Sequence, residues 1–426
     1  MQILFISANR EEMNMPVIPM GMGCVAMAAR MAGHDVQMID LLTEPDVHSA
    51  VGRAVDLFRP DVIAISVRNI DDQNMTDPKF LLDQAKTAVS ACRGISRAPI
   101  VIGGAGYSIF PNAALTYLDA DMGIQGEGEQ AFPELLRRIQ SGRNFSGLSG
   151  VFLKTGGLQG KRSFEKTLDM FPFPDPEFFR ISNSKGDAFY LPVQTRRGCP
   201  LNCSYCSTSA IEGRRIRFRS PQRVVRHLAS WHDAGFSSFF FVDNTFNLPA
   251  SYAEDLSGQL SRSGLPISWR CILYPGKASG NLIQAMSKGG CKEVSLGFES
   301  GCQKVLDGFN KRFALDDIRR TSKILADCGI RQMGFLLLGG PDETKQSVLE
   351  SLEFVESLPL DVVRITAGIR IYPGTRIAAI AVQDCNITFD DDLLKPVFYM
   401  KKELRGWLEQ TLDQWAATTR LRVIYS

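Results

Sequence analysis

The chain has 426 residues, and at roughly 150 residues per domain this predicts two or three domains. Hydrophobic residues make up 44% and charged residues 22%, which excludes wholesale disorder, a collagen and a fibrous coil. With 48 basic against 46 acidic residues the formal net charge is +2, which argues against a global electrostatic grip on nucleic acid, and ten cysteines are too few for a disulfide scaffold.

The start, MQILFISANR, reads as a strand rather than a secretory leader. Gly21 to Ala32 reads as a helix ended by Gly33-His34, and DVQMID as a second strand. A helix over Val47–Phe58 precedes Pro60 and the strand DVIAISV. Leu81 to Cys92 is helical again before the strand PIVIGG; MGIQGE is a fifth strand and Gln130 to Gln140 the closing helix. Near-continuous apolar strands alternating with helices predict an α/β, doubly wound, Rossmann-like domain over residues 1–143. Residues 144–190, rich in Gly, Ser, Pro and Phe (FPFPDPEFF), lack a period and read as a linker.

A second series over 191–385 has the strands FYLPVQT, SSFFFVD, ISWRCIL, EVSLGF, RQMGFLLLG and VVRITAGIRI. Helices near Pro221–Ala234, Ala250–Ser263, Gly280–Lys288, Ala314–Cys328 and Lys345–Ser357 separate them. Six βα units predict a partial (β/α)6 barrel rather than a closed eight-unit one. The tail, 386–426, carries a helical extension with Phe398, Leu404, Trp407, Leu408, Leu412 and Trp415 on one broad face. No apolar run approaches the ~18 residues of a membrane span. A cytoplasmic protein with reduced thiols is expected.

The strongest chemical signal is RRGCPLNCSYCS. Cys199, Cys203 and Cys206 form a C-x3-C-x2-C array directly after an apolar strand, so three thiolates on one short loop can converge on a metal centre. Zinc would want a fourth ligand close by, and neither Cys nor His follows until His227. Three thiolates leave one iron of a 4Fe–4S cluster without a protein ligand, open to a small chelating molecule. Cys24, Cys92, Cys271, Cys291, Cys302, Cys328 and Cys385 read as core fillers.

The array, with Tyr205 before its last cysteine, resembles the signature of the radical S-adenosylmethionine superfamily, and the resemblance extends over about residues 191–385. It implies that the open iron binds the amino and carboxylate groups of S-adenosylmethionine. An electron from the cluster then yields methionine and a 5′-deoxyadenosyl radical that abstracts hydrogen from substrate. By the same resemblance Asp243 and Asn244 in FVDNTF stand where the methionine amino group is met. The family often has two acids or Gly-Gly-Glu there, so Asn244 is a departure. Glu299 and Ser300 in FESG match the ribose or methionine position, Gly339 and Gly340 the stretch near adenine, and Arg370 and Tyr372 the last strand end. Residues at the C-terminal ends of parallel barrel strands face one shared cavity, which supports these placements independently.

The first domain lacks a dinucleotide fingerprint after its first strand. It resembles the cobalamin-binding domain found ahead of many radical S-adenosylmethionine domains. The matching pieces are Gly21 and Gly23 in PMGMG, Ser66, Arg68 and Asn69 in ISVRN, Gly103, Gly104 and Ala105 in VIGGAG, and Gly126, Glu127, Gly128 and Glu129 in IQGEGE. The loop after the first strand, SANREEMN, holds no His, and none of His34, His48, His227 and His232 lies on a suitable loop. The resemblance therefore implies cobalamin bound base-off without a histidine ligand, its lower face covered by Arg68 to Gln73.

Arg196, Arg197, Arg214, Arg215, Arg217, Arg219, Arg223 and Arg226 make the cysteine region basic, which suits either an anion site or a solvated face. The reading that follows is a cobalamin-dependent C-methyltransferase acting on an unactivated carbon of a small-molecule, lipid-like or natural-product substrate. It would be served by an external flavodoxin- or ferredoxin-type reductant, with no nucleic-acid partner. Alternatives are a non-methylating radical rearrangement, cyclisation or oxidation with the same cofactors, and a cobalamin-binding regulator with an inactive barrel.

Overall fold

A computed structural model describes residues 1–11, 18–179, 190–384, 387–388 and 391–425. Cys385 and the start of the tail at Asn386 lie outside the described residues. The chain divides into two units. The first is Met1–Asp72 with Lys79–Phe189 and Ala210–Gly213; the second is Gln73–Pro78 with Tyr190–Ser209 and Arg214–Ser426.

The first unit runs β1 (Gln2–Ser7), α1 (Met20–Met31), β2 (Asp35–Asp40), α2 (Val47–Phe58), β3 (Val62–Ser66), α3 (Leu82–Ile95) and β4 (Ile100–Gly103). It continues with α4 (Ala105–Ile109), α5 (Pro111–Leu118), β5 (Met122–Ile124), α6 (Gly128–Ser141), β6 (Val151–Leu153) and β7 (Gly157–Leu158). The sheet order is β2-β1-β3-β4-β5-β6-β7. The first five strands pair in parallel, and β1, buried along five of its six residues, is apolar because helices cover both faces. Because β2 and β3 flank β1, the connections diverge there, and an open α/β sheet binds ligands at such a switch point, beyond the strands' C-terminal ends.

Local chemistry sets the helix ends. The Asp46 carboxylate accepts from the Ser49 amide at 2.7 Å and starts α2, while Gly142 at φ +63° ends α6. Ile3, Phe5, Val62, Val101 and Met122 of the strands pack with Ala26 and Ala29 of α1 and Phe132, Leu135 and Leu136 of α6. Each large side chain buried in this way contributes about 1.5–3 kcal/mol.

The segment expected as a linker instead supplies β6 and β7, which add to β5 as antiparallel strands. At two or three residues each they are too short to display a period of two. The short helices α4 and α5 were not expected from the sequence either.

The second unit runs β8 (Leu191–Val193), β9 (Arg196–Arg197), α7 (Thr208–Glu212, of which Thr208 and Ser209 fall in this unit), β10 (Arg217–Phe218), α8 (Pro221–Asp233), β11 (Ser238–Phe241), α9 (Ala250–Ser263), β12 (Ser268–Leu273), α10 (Gly280–Lys288) and β13 (Cys291–Glu299). It goes on with α11 (Gln303–Gly308), α12 (Leu315–Asp327), β14 (Arg331–Leu338), α13 (Lys345–Glu356), β15 (Val362–Ala367), β16 (Ile369–Arg370), α14 (Arg376–Gln383), β17 (Phe398–Tyr399), α15 (Trp407–Ala416) and β18 (Arg422–Tyr425). Its seven-stranded sheet is β18-β15-β14-β13-β12-β11-β8, parallel throughout. The six expected strands are present as β8 and β11 to β15.

The seventh, β18, comes from the tail and pairs with β15, Val362 opposite Arg422. The tail is therefore not only helical: Phe398 lies in β17, and α15 buries just Leu408 and Leu412. Among the described residues no helix is long and apolar enough to cross a membrane.

Candidate functional site

The loop carrying the three cysteines leaves the C-terminal end of β8 under tight control. Asp243, wholly buried at the end of β11, accepts from the Thr195 amide at 2.7 Å, the Thr195 hydroxyl at 2.6 Å and the Arg196 amide at 3.0 Å. The Arg196 guanidinium stands 3.5 Å from the same carboxylate and donates to the carbonyls of Phe246 and Leu248. Paired, hydrogen-bonded charges of this kind survive burial, and this pair pins the entry to the loop. Gly198 then crosses at φ +93°, where a Cβ would lie 2.1 Å from the Arg215 carbonyl oxygen, so only glycine passes.

Beyond it, Cys199, Cys203 and Cys206 are half-buried and in no disulfide. Burial pushes the Cys203 thiol up to about 11; Lys311 opposes this, and the charges of Cys206, Glu299 and Cys199 add to it. The other two sulfurs are thus within electrostatic reach of Cys203. Among the described residues no group of three His, Cys, Asp or Glu closes on a single metal ion. Three thiolates on one short loop are the donor chemistry that suits an iron–sulfur cluster.

A splint from elsewhere in the unit supports the loop. The Asn310 side-chain amide donates to the carbonyls of Leu201 at 3.2 Å and Asn202 at 2.8 Å. The Ser204 amide donates to the Phe309 carbonyl at 3.1 Å, and Tyr205 packs edge-on against the Phe309 ring at 5.4 Å. The Cys206 thiol donates to the Thr208 hydroxyl at 3.2 Å, which donates to Asn244 Oδ1 at 3.3 Å.

Glu299 ends β13 at φ +72°. Its Oε1 accepts from the Tyr205 hydroxyl at 3.0 Å and from Lys311 Nζ at 3.1 Å. Burial works against the Lys311 charge, yet Glu299 above all, with Tyr205 and Cys203, holds it well above the usual lysine range.

Tyr205, Asn244 and Glu299 therefore share one neighbourhood with the cysteine loop. Ser300 is instead wholly buried against the Ser351 hydroxyl at 3.0 Å. Arg370, also buried, donates to the carbonyls of Ile371, Leu393 and Leu394 and lies over Tyr372. A Cβ on Gly339 would strike Met400 and one on Gly340 the Phe309 ring, so these glycines answer to protein packing. Of the arginines in the basic stretch, Arg196, Arg217 and Arg219 are buried while Arg214, Arg215 and Arg226 are exposed.

Sequence reasoning did not single out Thr208, Asn310, Lys311 or Glu343. The Glu343 carboxylate is buried and accepts from the Gly340 amide at 3.1 Å and the Gly339 amide at 2.5 Å, fixing the end of β14. Its place three residues after Gly340 was the one available signal.

In the first unit, the segments that follow β1, β3, β4 and β5 carry the other candidates, Gly21 and Gly23 within α1 and Gly128 and Glu129 at the start of α6. Ser66, Gly103, Gly104 and Gly126 are half-buried, Arg68 and Ala105 are exposed and Asn69 is half-buried. The Val67 amide donates to the Gly103 carbonyl at 2.8 Å, and a Cβ on Gly104 at φ +109° would lie 2.4 Å from the Val67 oxygen. The Ser108 hydroxyl bridges the loops, donating to the Gly104 carbonyl at 2.8 Å and accepting from the Gly126 amide at 2.9 Å.

At Gly128, the start of α6, a Cβ would meet Val25; at Gly23 it would meet Phe179; Gly21 faces open space. Glu127 Oε2 accepts from the Glu165 amide at 3.3 Å, and Glu129 is buried. The edge thus presents small residues and main chain, which suits a wide, flat ligand bearing many amides. His48 is exposed at the start of α2, and His34 lies before β2 at the opposite edge.

Two family models match the chain: the B12 binding domain over residues 6–136 and the Radical SAM superfamily over residues 193–355. The protein named uncharacterized methyltransferase PH0819 of Pyrococcus horikoshii is 29% identical over 375 residues, 85% of this chain and 78% of that one. The hopanoid C-3 methylase of Methylococcus capsulatus is 26% identical over 365 residues, 84% of this chain and 67% of that one. The structure of the radical S-adenosylmethionine methyltransferase TsrM of Kitasatospora setae, with cobalamin and a [4Fe-4S] cluster bound, matches with a TM-score of 0.88 at 20% identity. It covers 99% of this chain and 92% of that one, so the fold is shared. Carrying a B12-binding domain ahead of a radical SAM domain, the chain belongs to the cobalamin-dependent radical S-adenosylmethionine enzymes.

Proposed function

We propose that this enzyme is a C-methyltransferase that moves a methyl group from S-adenosylmethionine to an unactivated carbon of a small-molecule, lipid-like or natural-product substrate. The observation that carries the reading is the trio of half-buried thiols on the loop after β8, on a chain whose first unit matches the B12-binding family. Relatives named as methyltransferases support methyl transfer over rearrangement.

In this reading Cys199, Cys203 and Cys206 hold the cluster. Asn244, Glu299, Tyr205 and Tyr372 meet S-adenosylmethionine, with the backbone of Gly339 and Gly340 beside its adenine. Asp243, Ser300 and Arg370, whose polar atoms bond the chain itself, position those groups. When bound, the cluster supplies one electron to cleave the sulfonium and the cobalamin carries the methyl group.

The edge from Ser66, Arg68 and Asn69 through Gly103, Gly104 and Ala105 to Gly126–Glu129, with Gly21 and Gly23, holds cobalamin base-off. No histidine of the loop after β1 is available to it, and the loop that begins at Arg68 covers its lower face. Residues 1–143 and 191–385 are assigned as the cobalamin and radical domains. The electron comes from a flavodoxin- or ferredoxin-type donor in the cytoplasm, where thiols stay reduced.

The test needs no knowledge of the substrate. The full chain, reconstituted without oxygen and reduced with dithionite, is given S-adenosylmethionine labelled in its methyl group. Release of S-adenosylhomocysteine together with 5′-deoxyadenosine is the expected result. Formation of 5′-deoxyadenosine alone overturns methyl transfer in favour of a rearrangement or cyclisation. Nitrogen splitting in the cobalt(II) EPR spectrum would overturn the base-off assignment.

A further inference from the structure

We propose that Lys311 is an electrostatic positioning residue of the cluster: its ammonium, held by Glu299 over Tyr205 of the cysteine loop, raises the cluster's reduction potential. The inference rests on assigning the three cysteines to the cluster.

The geometry is unusual for a lysine. Lys311 follows α11 across Asn310, which turns the chain at φ +59°, and its amide bonds the Leu306 carbonyl at 2.9 Å. The side chain is 6% exposed; Nζ reaches Glu299 Oε1 at 3.1 Å and the Gly297 carbonyl at 3.4 Å, and lies 5.5 Å from the Tyr205 ring centre. Taking an ammonium out of water costs several kcal/mol, and apolar residues of similar volume often replace buried ion pairs without loss of stability. Folding alone therefore does not call for this pair.

Its placement has an electrostatic consequence. A cube held by three thiolates is negatively charged and gains one more negative charge on reduction, so a fixed cation in a low-dielectric pocket favours the reduced form. Glu299 acts in the opposite sense, so removing either charge alone shifts the potential in its own direction. In the reduction itself one electron enters from a low-potential donor; no bond forms or breaks and no proton moves.

The experiment compares the reconstituted full chain with Lys311→Met and Lys311→Arg. No S-adenosylmethionine is added, dithionite is the reductant, and the reduced cluster is followed by EPR in a potentiometric titration. Lys311→Met is expected to lower the reduction equilibrium about tenfold, ~59 mV for one electron. Lys311→Arg should stay within about twofold of the parent. If Lys311→Met fails to fold or to load iron, Glu299→Gln carries the test: removing the opposing charge should raise the potential. Equal potentials in Lys311→Met and the parent, or a downward shift in Glu299→Gln, overturn the proposal. Equal potentials with lost binding of S-adenosylmethionine also overturn it and make Lys311 a ligand contact. A parent chain that takes up no iron instead removes the cluster assignment itself.

Discussion

Asn310 gives the sharpest test of how the cysteine loop is held. Its side chain makes two bonds to the loop, to Leu201 and Asn202, and its backbone sits at φ +59°. Asn310→Ala removes both bonds, each worth about 0.5–1 kcal/mol at a half-exposed site. Alanine also tolerates the left-handed region less well than asparagine, adding roughly 0.5 kcal/mol. The sum is about 2 kcal/mol, or ~30-fold in the equilibrium for local opening of the loop. Asn310→Gly separates the contributions, because glycine loses the bonds while keeping the backbone conformation.

The assay is amide hydrogen exchange over residues 199–206 with the cluster absent, alongside the rate at which a chelator strips iron from the reconstituted protein. Both should accelerate by roughly the same factor in Asn310→Ala, and the exchange of β12 and β13 should not change. If the loop exchanges at the parent's rate in Asn310→Ala, the splint does not hold the cysteines and the argument fails.

Three further outcomes are expected. Cys203→Ala should abolish iron binding, whereas Cys271→Ala, wholly buried in β12, should keep the iron and lose only about 1–2 kcal/mol of stability; iron analysis and denaturant melts distinguish them. Gly104→Ala drives a Cβ against the Val67 oxygen at a φ that L-residues rarely adopt, and should cost about 2–4 kcal/mol in chemical denaturation while weakening cobalamin binding. Burial pushes Glu343 up to about 7 from the ordinary 4.5, against the bonds from Gly339 and Gly340. The folded state therefore holds this proton more tightly than the unfolded state. Stability contributed by the group is fully present below pH ~4.5 and falls by about 2 kcal/mol between pH 5 and 7. Glu343→Gln should remove that slope, as denaturant titrations at the two pH values would show; a parallel slope in the variant refutes it.

What could be read directly from the sequence, and what could not, divides along physical lines. The strand segments ILFI and VIAI are apolar throughout because helices cover both faces, so their existence follows from local composition. The strands β6, β7 and β18 have two to four residues and gain their identity only from partners already in place. The cysteine array is equally local: its meaning lies in spacing along a single loop. Asn310 and Lys311 are the opposite case. Asn310 meets carbonyls 108 and 109 positions away, and in isolation the stretch FNKR looks like a solvated turn.

The polar residues at strand ends fall between these extremes. Position alone marked Asp243, Ser300, Glu299 and Arg370 as facing the cavity, but position does not say which partner each one takes. Asp243 and Arg370 are engaged by the chain's own hydrogen-bonding groups, and Glu299 by a tyrosine and a buried lysine. A buried carboxylate must be satisfied by something, and the nearest main-chain amides compete with any ligand for that role. The residues that meet a ligand are therefore those whose bonding capacity the fold leaves incomplete. Asp243, with two amides and a hydroxyl already on its carboxylate, is instead held by the chain.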